Sequence, residues 1–315
     1  MERSRGASAG PAAARSTDIV IVSYRSRELV RACLESLREH PPSHPFSVHV
    51  VDNASSDGTP EMIRRDFPEV RVTGLKNNLG FAAANNIAIR EGNGEYVLAL
   101  NPDTRVTAGS LDALVALMDA RPEVGICGCR LLRDDGSIDH AARRSFPTIA
   151  GALGYFLGLG RNRHAPKSLT QYLAPEDRPG PVDAVNGAFM LLRRSALDEV
   201  GAFDEGYWMY MEDLDLCYRF REAGWVTWYE PSVTVWHVKH GTSGPVRSLR
   251  LNYAFHYGMF RFYRKHYAQR HGVGTNAAVY AGIAVKFAVS AARATFQRAI
   301  ARRQSMRKHA SPCAR

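Results

Sequence analysis

The chain is expected to fold as an α/β protein with a mostly parallel sheet, helices on both of its faces, and a basic helical extension behind it. Three observations predict this. Over the first 130 residues, short apolar runs rich in Val, Ile and Leu alternate with stretches of helical spacing, the pattern of a covered parallel sheet. Two of those runs lead directly to aspartates, Asp52 in VVDNASSDGT and Asp103 in LALNPDT, and ligands of such sheets bind at the carboxyl ends of the strands. Beyond Glu230 there is no acidic residue, whereas fifteen of the 41 Lys and Arg follow it.

The elements are expected in this order. Asp18–Ser23 is a strand. Arg27–Glu39 carries Leu29, Val30, Cys33, Leu34 and Leu37 at helical spacing and stops at Pro41-Pro42. Phe46–Val51 is a strand, and Asp57 caps a helix with Pro60 near its first turn. Val70–Thr73 is a strand, Phe81–Arg90 an Ala-rich helix, Tyr96–Leu100 a strand, Ser110–Asp119 a helix and Val124–Leu132 a strand. Residues 145–181 are rich in Gly and Pro and read as a loop over the crevice or an acceptor-side flap. A strand over Val185–Arg193 contains Gly187, where close approach is expected. Short helices follow at Ser195–Val200 and Glu212–Ala223, the latter closed by Gly224. Short strands are expected at Thr227–Tyr229 and Val233–Trp236. From Ser248 the chain reads as helical, with Leu249–Tyr267 crowded with aromatics and Ala277–Ala301 apolar around much of its circumference. The implied organisation is a disordered lead (1–16), an α/β domain (17–245), a helical extension (246–304) and a disordered tail (305–315).

Composition narrows the classes. The net charge of +10 is one-sided, since residues 1–230 hold all 31 acidic side chains against 26 basic ones. The basic rear points to an anionic surface; a solvated tail is the plainer reading. Ala277–Ala301 is read as too interrupted to span a bilayer. It lies in the interface with its basic chains reaching to head groups, or it packs on the domain or a second subunit. The five cysteines lack zinc spacing, and Cys127 and Cys129 read as buried strand, so free thiols in a reducing compartment are expected. The N-terminus has no apolar core of a secretory signal. No internal repeat is evident.

The chemistry concentrates in a few residues. Asp103, after Asn101-Pro102, offers the hard oxygen that Mg²⁺ or Mn²⁺ prefers. Asp52 is placed to accept the imide N–H of uracil or thymine. The run Asn77-Asn78-Leu79-Gly80 with Asn85 opens a helix with a glycine, where backbone N–H groups suit an anion, although such clusters also simply mark turns. Glu212 and Asp213 begin a helix after Tyr207-Trp208-Met209-Tyr210, an aromatic wall able to exclude water and raise a carboxylate pKa. Without the wall the pair reads as a favourable first-turn dipole interaction. Asp215 reads as structural. His237 binds metal or diphosphate, or is a satisfied structural histidine; Lys239, His240, Thr242 and Ser243 follow it.

Together IVSY, VVDNASSDGT, NNLGFAAANN, LNPDT and the Glu-Asp pair followed by a histidine resemble, in the right order over residues 17–245, the inverting family 2 glycosyltransferases of GT-A, Rossmann-like fold. Within that family they are most similar to rhamnosyltransferases acting on lipid-linked sugars. The resemblance implies that Ser23, Tyr24, Asp52, Asn53, Asn78, Gly80, Asn85, Asn101 and Asp103 line the nucleotide-sugar site. It implies Asp103 and His237 as contacts of Mg²⁺ or Mn²⁺, and Asp213 as general base beside Glu212. Gly187, Trp208 and Tyr210 are expected on the acceptor side. Asn101 stands where the family's DXD motif has its first Asp, leaving Asp103 as the sole carboxylate anchor. The implied partners are a dTDP- or UDP-sugar, a polyprenyl diphosphate-linked glycan, and an anionic membrane surface on its cytoplasmic side. A homodimer is also expected, and a nucleic acid is not. Another UDP-sugar transferase (galactofuranosyl, glucosyl or N-acetylglucosaminyl) and a non-catalytic nucleotide-sugar binder remain alternatives. A sugar nucleotidyltransferase is disfavoured because Ser23-Tyr24-Arg25-Ser26 lacks the expected glycines.

Overall fold

The computed structural model describes residues 15–148, 177–238 and 248–309, with side chains to 296. The expectations for the lead, most of the 145–181 loop, Lys239, His240, Thr242, Ser243 and the last residues lie outside these. Strand β1 (Thr17–Ser23), helix α1 (Arg27–Glu39), β2 (Phe46–Asp52), α2 (Thr59–Asp66), β3 (Arg71–Gly74), α3 (Phe81–Glu91), β4 (Tyr96–Leu100), the short β5 (Thr104–Arg105), α4 (Ser110–Ala120) and β6 (Val124–Leu132) follow one another. Next come β7 (Arg143–Arg144), β8 (Gly180–Pro181), β9 (Ala184–Val185), β10 (Phe189–Arg193), α5 (Arg194–Val200), α6 (Glu212–Glu222), β11 (Val226–His237), α7 (Leu249–His266) and α8 (Val273–His309).

The main sheet runs β3-β2-β1-β4-β10-β6-β11-β5, with β8 on β11. β1, β2, β3 and β4 pair in parallel, as do β6 and β11. β10 lies antiparallel to both β4 and β6, so those two share one direction. All six long parallel strands therefore put their carboxyl ends on one rim, and β10 starts there. The unbroken apolar run of β1 follows from burial on both faces. Ile19 and Ile21 pack with Val30, Cys33, Leu34 and Leu37 of α1 on one side. Val20 and Val22 pack with α3 and α6 on the other.

Three sequence expectations change. The single strand over 185–193 divides into β9 and β10, because Asn186 Oδ1 accepts the N–H of Ala188 (2.9 Å) and turns the chain between them. The two short strands after Thr227 are one strand, β11, whose register on β6 slips between Glu230 and Thr234, around Pro231. In α2 the residue before the helix is Gly58, at φ +77°. Asp57 still caps: its Oδ1 accepts from Thr59 N–H (3.2 Å), and its Oδ2 accepts from Arg27 N–H at the start of α1 (3.2 Å).

Helix α7 belongs to the packed body, with Phe262 buried in the core that contains Tyr218 and Phe220 of α6. Helix α8 lies on α7 through Tyr263–Asn276 and Ser290–Asn252 hydrogen bonds (2.8 and 3.0 Å). Val273, Val285, Val289 and Phe296 stay exposed. By length and composition alone Val273–Phe296 meets the measure of a membrane-crossing helix, with 11% of its apolar window buried, while Lys286 and Arg293 interrupt its apolar sequence as expected.

Candidate active site

The rim gathers the expected residues by topology. Asp52 ends β2 beside Ser23 at the end of β1. Ser23 Oγ donates to Asp52 Oδ1 (2.8 Å), and Asp52 Oδ2 accepts from Ser55 N–H (2.8 Å). Tyr24 follows, partly exposed. Asn53 carries the contact onward, its amide donating to Gly80 O (2.9 Å) and its Oδ1 accepting from Leu79 N–H (2.7 Å).

At Gly80 the backbone has φ +91°, and a Cβ would sit 2.2 Å from the carbonyl oxygen of Trp208, so only glycine fits. The expected anion cradle is not what this turn provides. The N–H groups of Leu79, Gly80 and Phe81 are taken by Asn53 Oδ1, Asn78 Oδ1 (3.0 Å) and Trp208 O (2.8 Å). Asn85 donates its amide to Phe81 O in its own helix (2.9 Å). Trp208 is covered on its ring by Arg250 of α7, 4.0 Å away. This turn therefore joins the β2 end to the segment preceding Glu212.

That segment is strained. Tyr210 and Met211 both lie at positive φ (+71° and +72°), at a cost of about 1–3 kcal/mol each that packing must offset. Gly258 of α7 meets them: a Cβ there would lie 3.0 Å from Tyr210 O and Met211 Cγ. Tyr210 also packs edge-on against Phe255. The two strained residues set the start of α6, where Glu212 and Asp213 are both buried. Asp213 Oδ2 accepts from Arg144 Nη2 (2.5 Å) and from Gly187 N–H (3.1 Å). A Cβ at Gly187 would rest at an ordinary 3.5 Å from Asp213. Close approach thus does not require a glycine there, and the contact it makes with Asp213 is through its N–H. Glu212 differs from its neighbour. Burial, then the Asp213 charge, pushes its carboxyl up to about 8, and its Oε2 lacks a hydrogen-bond partner.

The rim continues from Asp213 to Asp103 in two steps. Gly187 precedes Ala188, whose carbonyl accepts from Asn101 N–H (2.9 Å). Asn101 O in turn accepts from the hydroxyl of Thr104 (2.5 Å), so Asp103 lies in a tight turn. Its backbone carbonyl accepts from Val238 N–H (2.8 Å), which fixes it beside the end of β11. His237 Nε2 is 3.4 Å from Asp103 Oδ1, and its Nδ1 is 3.6 Å from Asp139 Oδ2. Burial alone would lower the imidazole pKa; the two carboxylates outweigh it and raise it to about 9.

Asp139 was not anticipated, nor was Arg144. Residues 139–144 lie along 184–187, with Ala142 O accepting from Asn186 N–H (3.0 Å) and β7 paired with β9. One short segment thereby supplies a carboxylate to His237 and a guanidinium to Asp213. A buried imidazole with a metal-facing nitrogen commonly has a carboxylate on the other nitrogen. That requirement was a signal for a third acid, but it did not say which one.

The fit to a divalent cation is limited and specific. Among the described residues no group of three His, Cys, Asp or Glu is set to enclose an ion. Asp103 Oδ1 is nevertheless buried without a hydrogen-bond partner, and His237 Nε2 faces it. One carboxylate oxygen, with the remaining positions left to phosphate and water, is what a magnesium-type site with bound nucleotide uses, and His237 could join as a ligand after giving up the proton that the two carboxylates hold on it.

A sheet with this strand order and a carboxylate-lined rim at its carboxyl ends is the GT-A glycosyltransferase architecture. Among solved structures the chain superposes on GalNAc-T7 with UDP, GalNAc and Mn²⁺ (TM-score 0.58, 15% identity, 81% of this chain and 48% of that one). It also superposes on the mannosyltransferase PcManGT of Pyrobaculum calidifontis with GDP-Man and Mn²⁺ (TM-score 0.54, 18% identity, 92% and 80%). The chain thus spans about half the length of the first.

The model of glycosyl transferase family 2 matches residues 18–201, and the chain belongs to that family. It is 35% identical over 239 residues to the N-acetylglucosaminyl-diphospho-decaprenol L-rhamnosyltransferase of Mycobacterium tuberculosis, covering 72% of this chain and 77% of that one. It is 28% identical to the rhamnosyltransferase WbbL of Escherichia coli, covering 70% and 83%.

Proposed function

We propose that this family 2 glycosyltransferase transfers L-rhamnose from dTDP-rhamnose, with inversion, to a polyprenyl diphosphate-linked glycan in cell-wall or surface-polysaccharide synthesis. The observation that carries the reading is the continuous rim from Ser23 and Asp52 through Gly80 and Asp213 to Asp103 and His237. The names of the two rhamnosyltransferase relatives support the donor and the lipid acceptor.

In this reading Ser23, Tyr24, Asp52 and Asn53 hold the base and ribose, and Asn78 and Gly80 place the turn that walls the site. Asp103 and His237 would hold Mg²⁺ or Mn²⁺, with Asp139 orienting the imidazole. A cation held there supplies positive charge to the departing diphosphate. Asp213 takes the proton of the acceptor hydroxyl as its oxygen attacks the anomeric carbon on the face opposite the diphosphate. Trp208, Tyr210 and Gly187 stand on the acceptor side of that carboxylate. The test is nucleoside diphosphate release from dTDP-rhamnose, UDP-galactofuranose and UDP-glucose with polyprenyl-diphosphate-linked N-acetylglucosamine. Acceptor-dependent release from dTDP-rhamnose alone is expected; faster release from a UDP-sugar overturns the donor assignment, and none with any donor overturns the enzyme assignment.

The exposed apolar positions of α8, with the acid-free basic sequence around them, support peripheral seating on the anionic cytoplasmic face of the membrane. Flotation with phosphatidylglycerol vesicles is expected to carry the protein upward, and high salt to release it. Equal recovery with neutral phosphatidylcholine vesicles would contradict an electrostatic contribution.

A further inference from the structure

We propose that Arg144 is the positioning residue for Asp213, clamping its carboxylate for proton removal; this rests on the reading of Asp213 as base. The clamp is built from fixed parts. Arg144 Nη2 meets Asp213 Oδ2 at 2.5 Å, with the two side chains 13% and 11% exposed, and the same nitrogen donates to Val185 O (3.2 Å). Gly187 N–H shares that carboxylate oxygen, and Leu214 N–H donates to the other (2.8 Å). The backbone under Arg144 is tied down on both sides. Arg144 pairs with Ala184 across β7 and β9. Its neighbour Arg143, 2% exposed, donates to Asp177 Oδ1 (3.2 Å) and Tyr229 OH (3.3 Å).

The charges around Asp213 give the clamp a second effect. Glu212 and Asp215 lie on the same helix, and the Cys217 thiol, buried nearby, is pushed up to about 12 by burial foremost. Asp215 is paired with Arg219, Lys265 and His266, whereas Asp213 is paired with Arg144, and an opposite charge within ion-pair distance favours the ionised carboxylate. Burial and the Asp213 charge push the Glu212 carboxyl up, and the Arg144 charge partly offsets that rise. Among the described residues, the other donors to Asp213 are the backbone N–H groups of Gly187 and Leu214, with the buried acid Glu212 beside it.

The experiment compares Arg144→Met, Arg144→Lys and Asp213→Asn in the full chain, with dTDP-rhamnose and the lipid-linked acceptor, and uses dTDP binding to check the fold. For Arg144→Met, kcat is expected to fall about 10²-fold, the loss typical of a misplaced catalytic group. KM for dTDP-rhamnose is expected to stay within about threefold, and the acid limb of the kcat–pH profile to move to higher pH. Arg144→Lys, which keeps the charge but not the fork, is expected to retain more activity and move the limb less; it carries the test if the Met variant does not bind dTDP. An unchanged kcat, or a loss with an unmoved pH profile that Lys does not lessen, overturns the proposal. If Asp213→Asn itself remains active, the base reading has failed. If it is inactive while Arg144→Met behaves as wild type, only the clamp has.

Discussion

Asp213→Asn is expected to lower kcat for sugar transfer by about 10²–10⁴-fold, the contribution of a general base, while dTDP binding stays unchanged. Asparagine has nearly the volume of aspartate. Its oxygen can still accept from Gly187 N–H and Arg144, whose bonds to Asp213 are 3.1 and 2.5 Å; the bond from Leu214 N–H to the other oxygen (2.8 Å) is lost to the amide NH2, a single bond at the start of α6. What is lost is the capacity to take a proton. Steady-state nucleoside diphosphate release and a separate calorimetric titration with dTDP divide the two effects. Near-normal turnover would remove Asp213 from the mechanism and direct attention to Glu212, the neighbouring acid with an unpartnered oxygen.

Asp215→Ala is expected to be strongly destabilising. Asp215 is fully buried and accepts from Arg219 (2.8 Å), His266 (2.8 Å), Lys265 and the hydroxyl of Tyr207 (3.2 Å). It therefore joins α6 to α7 and to the aromatic segment before Glu212. Removing one partner of a buried ionic cluster costs roughly 3–5 kcal/mol; the value here should sit at the lower end, because Lys265 is one-third exposed and regains water. Thermal unfolding should show a fall in Tm of about 5–12 °C. The pH dependence has a definite sign. Burial would raise the Asp215 pKa, but the bonds from His266, Lys265 and Arg219 outweigh it and hold the carboxyl far below its ordinary range. Its stabilisation is full above the unfolded-state value of about 3.9 and is lost as pH falls through and below it. The Tm gap between wild type and Asp215→Asn should thus close under acid. A gap constant down to strongly acidic pH would mean that Asp215 acts by shape and not by charge.

Much of the rim was legible because it is local. Apolar runs ending on Asp52 and near Asp103 identify strand ends from sequence alone, and Gly80 marks a turn that only glycine can make. What the chain does not display is long-range pairing. Nothing local says that β10 inserts antiparallel between β4 and β6, yet that insertion brings Gly187 and Ala188 to the rim and so links Asp213 to Asn101. Asp139 and Arg144 were hidden for the same reason. They sit in a short connection without periodicity, and their importance comes from partners 98 and 69 residues away, His237 and Asp213. Asp215 was readable as structural but not as a hub, because Lys265 and His266 reach it from a helix that follows the whole sheet. The reading of α8 over Ala277–Ala301 fell short at both ends, Val273 and His309, because the apolar pattern that marks it stops before the helix does.

The most direct test of the shared pocket is calorimetric titration of dTDP into wild type and Asp103→Ala, each with Mn²⁺ and with chelator. In wild type the metal should tighten dTDP binding by at least about tenfold, or 1.4 kcal/mol. In Asp103→Ala that gain should vanish, with Asp139→Asn falling between the two as expected for a residue that orients a ligand. A metal-dependent gain of the same size in Asp103→Ala as in wild type would contradict the account.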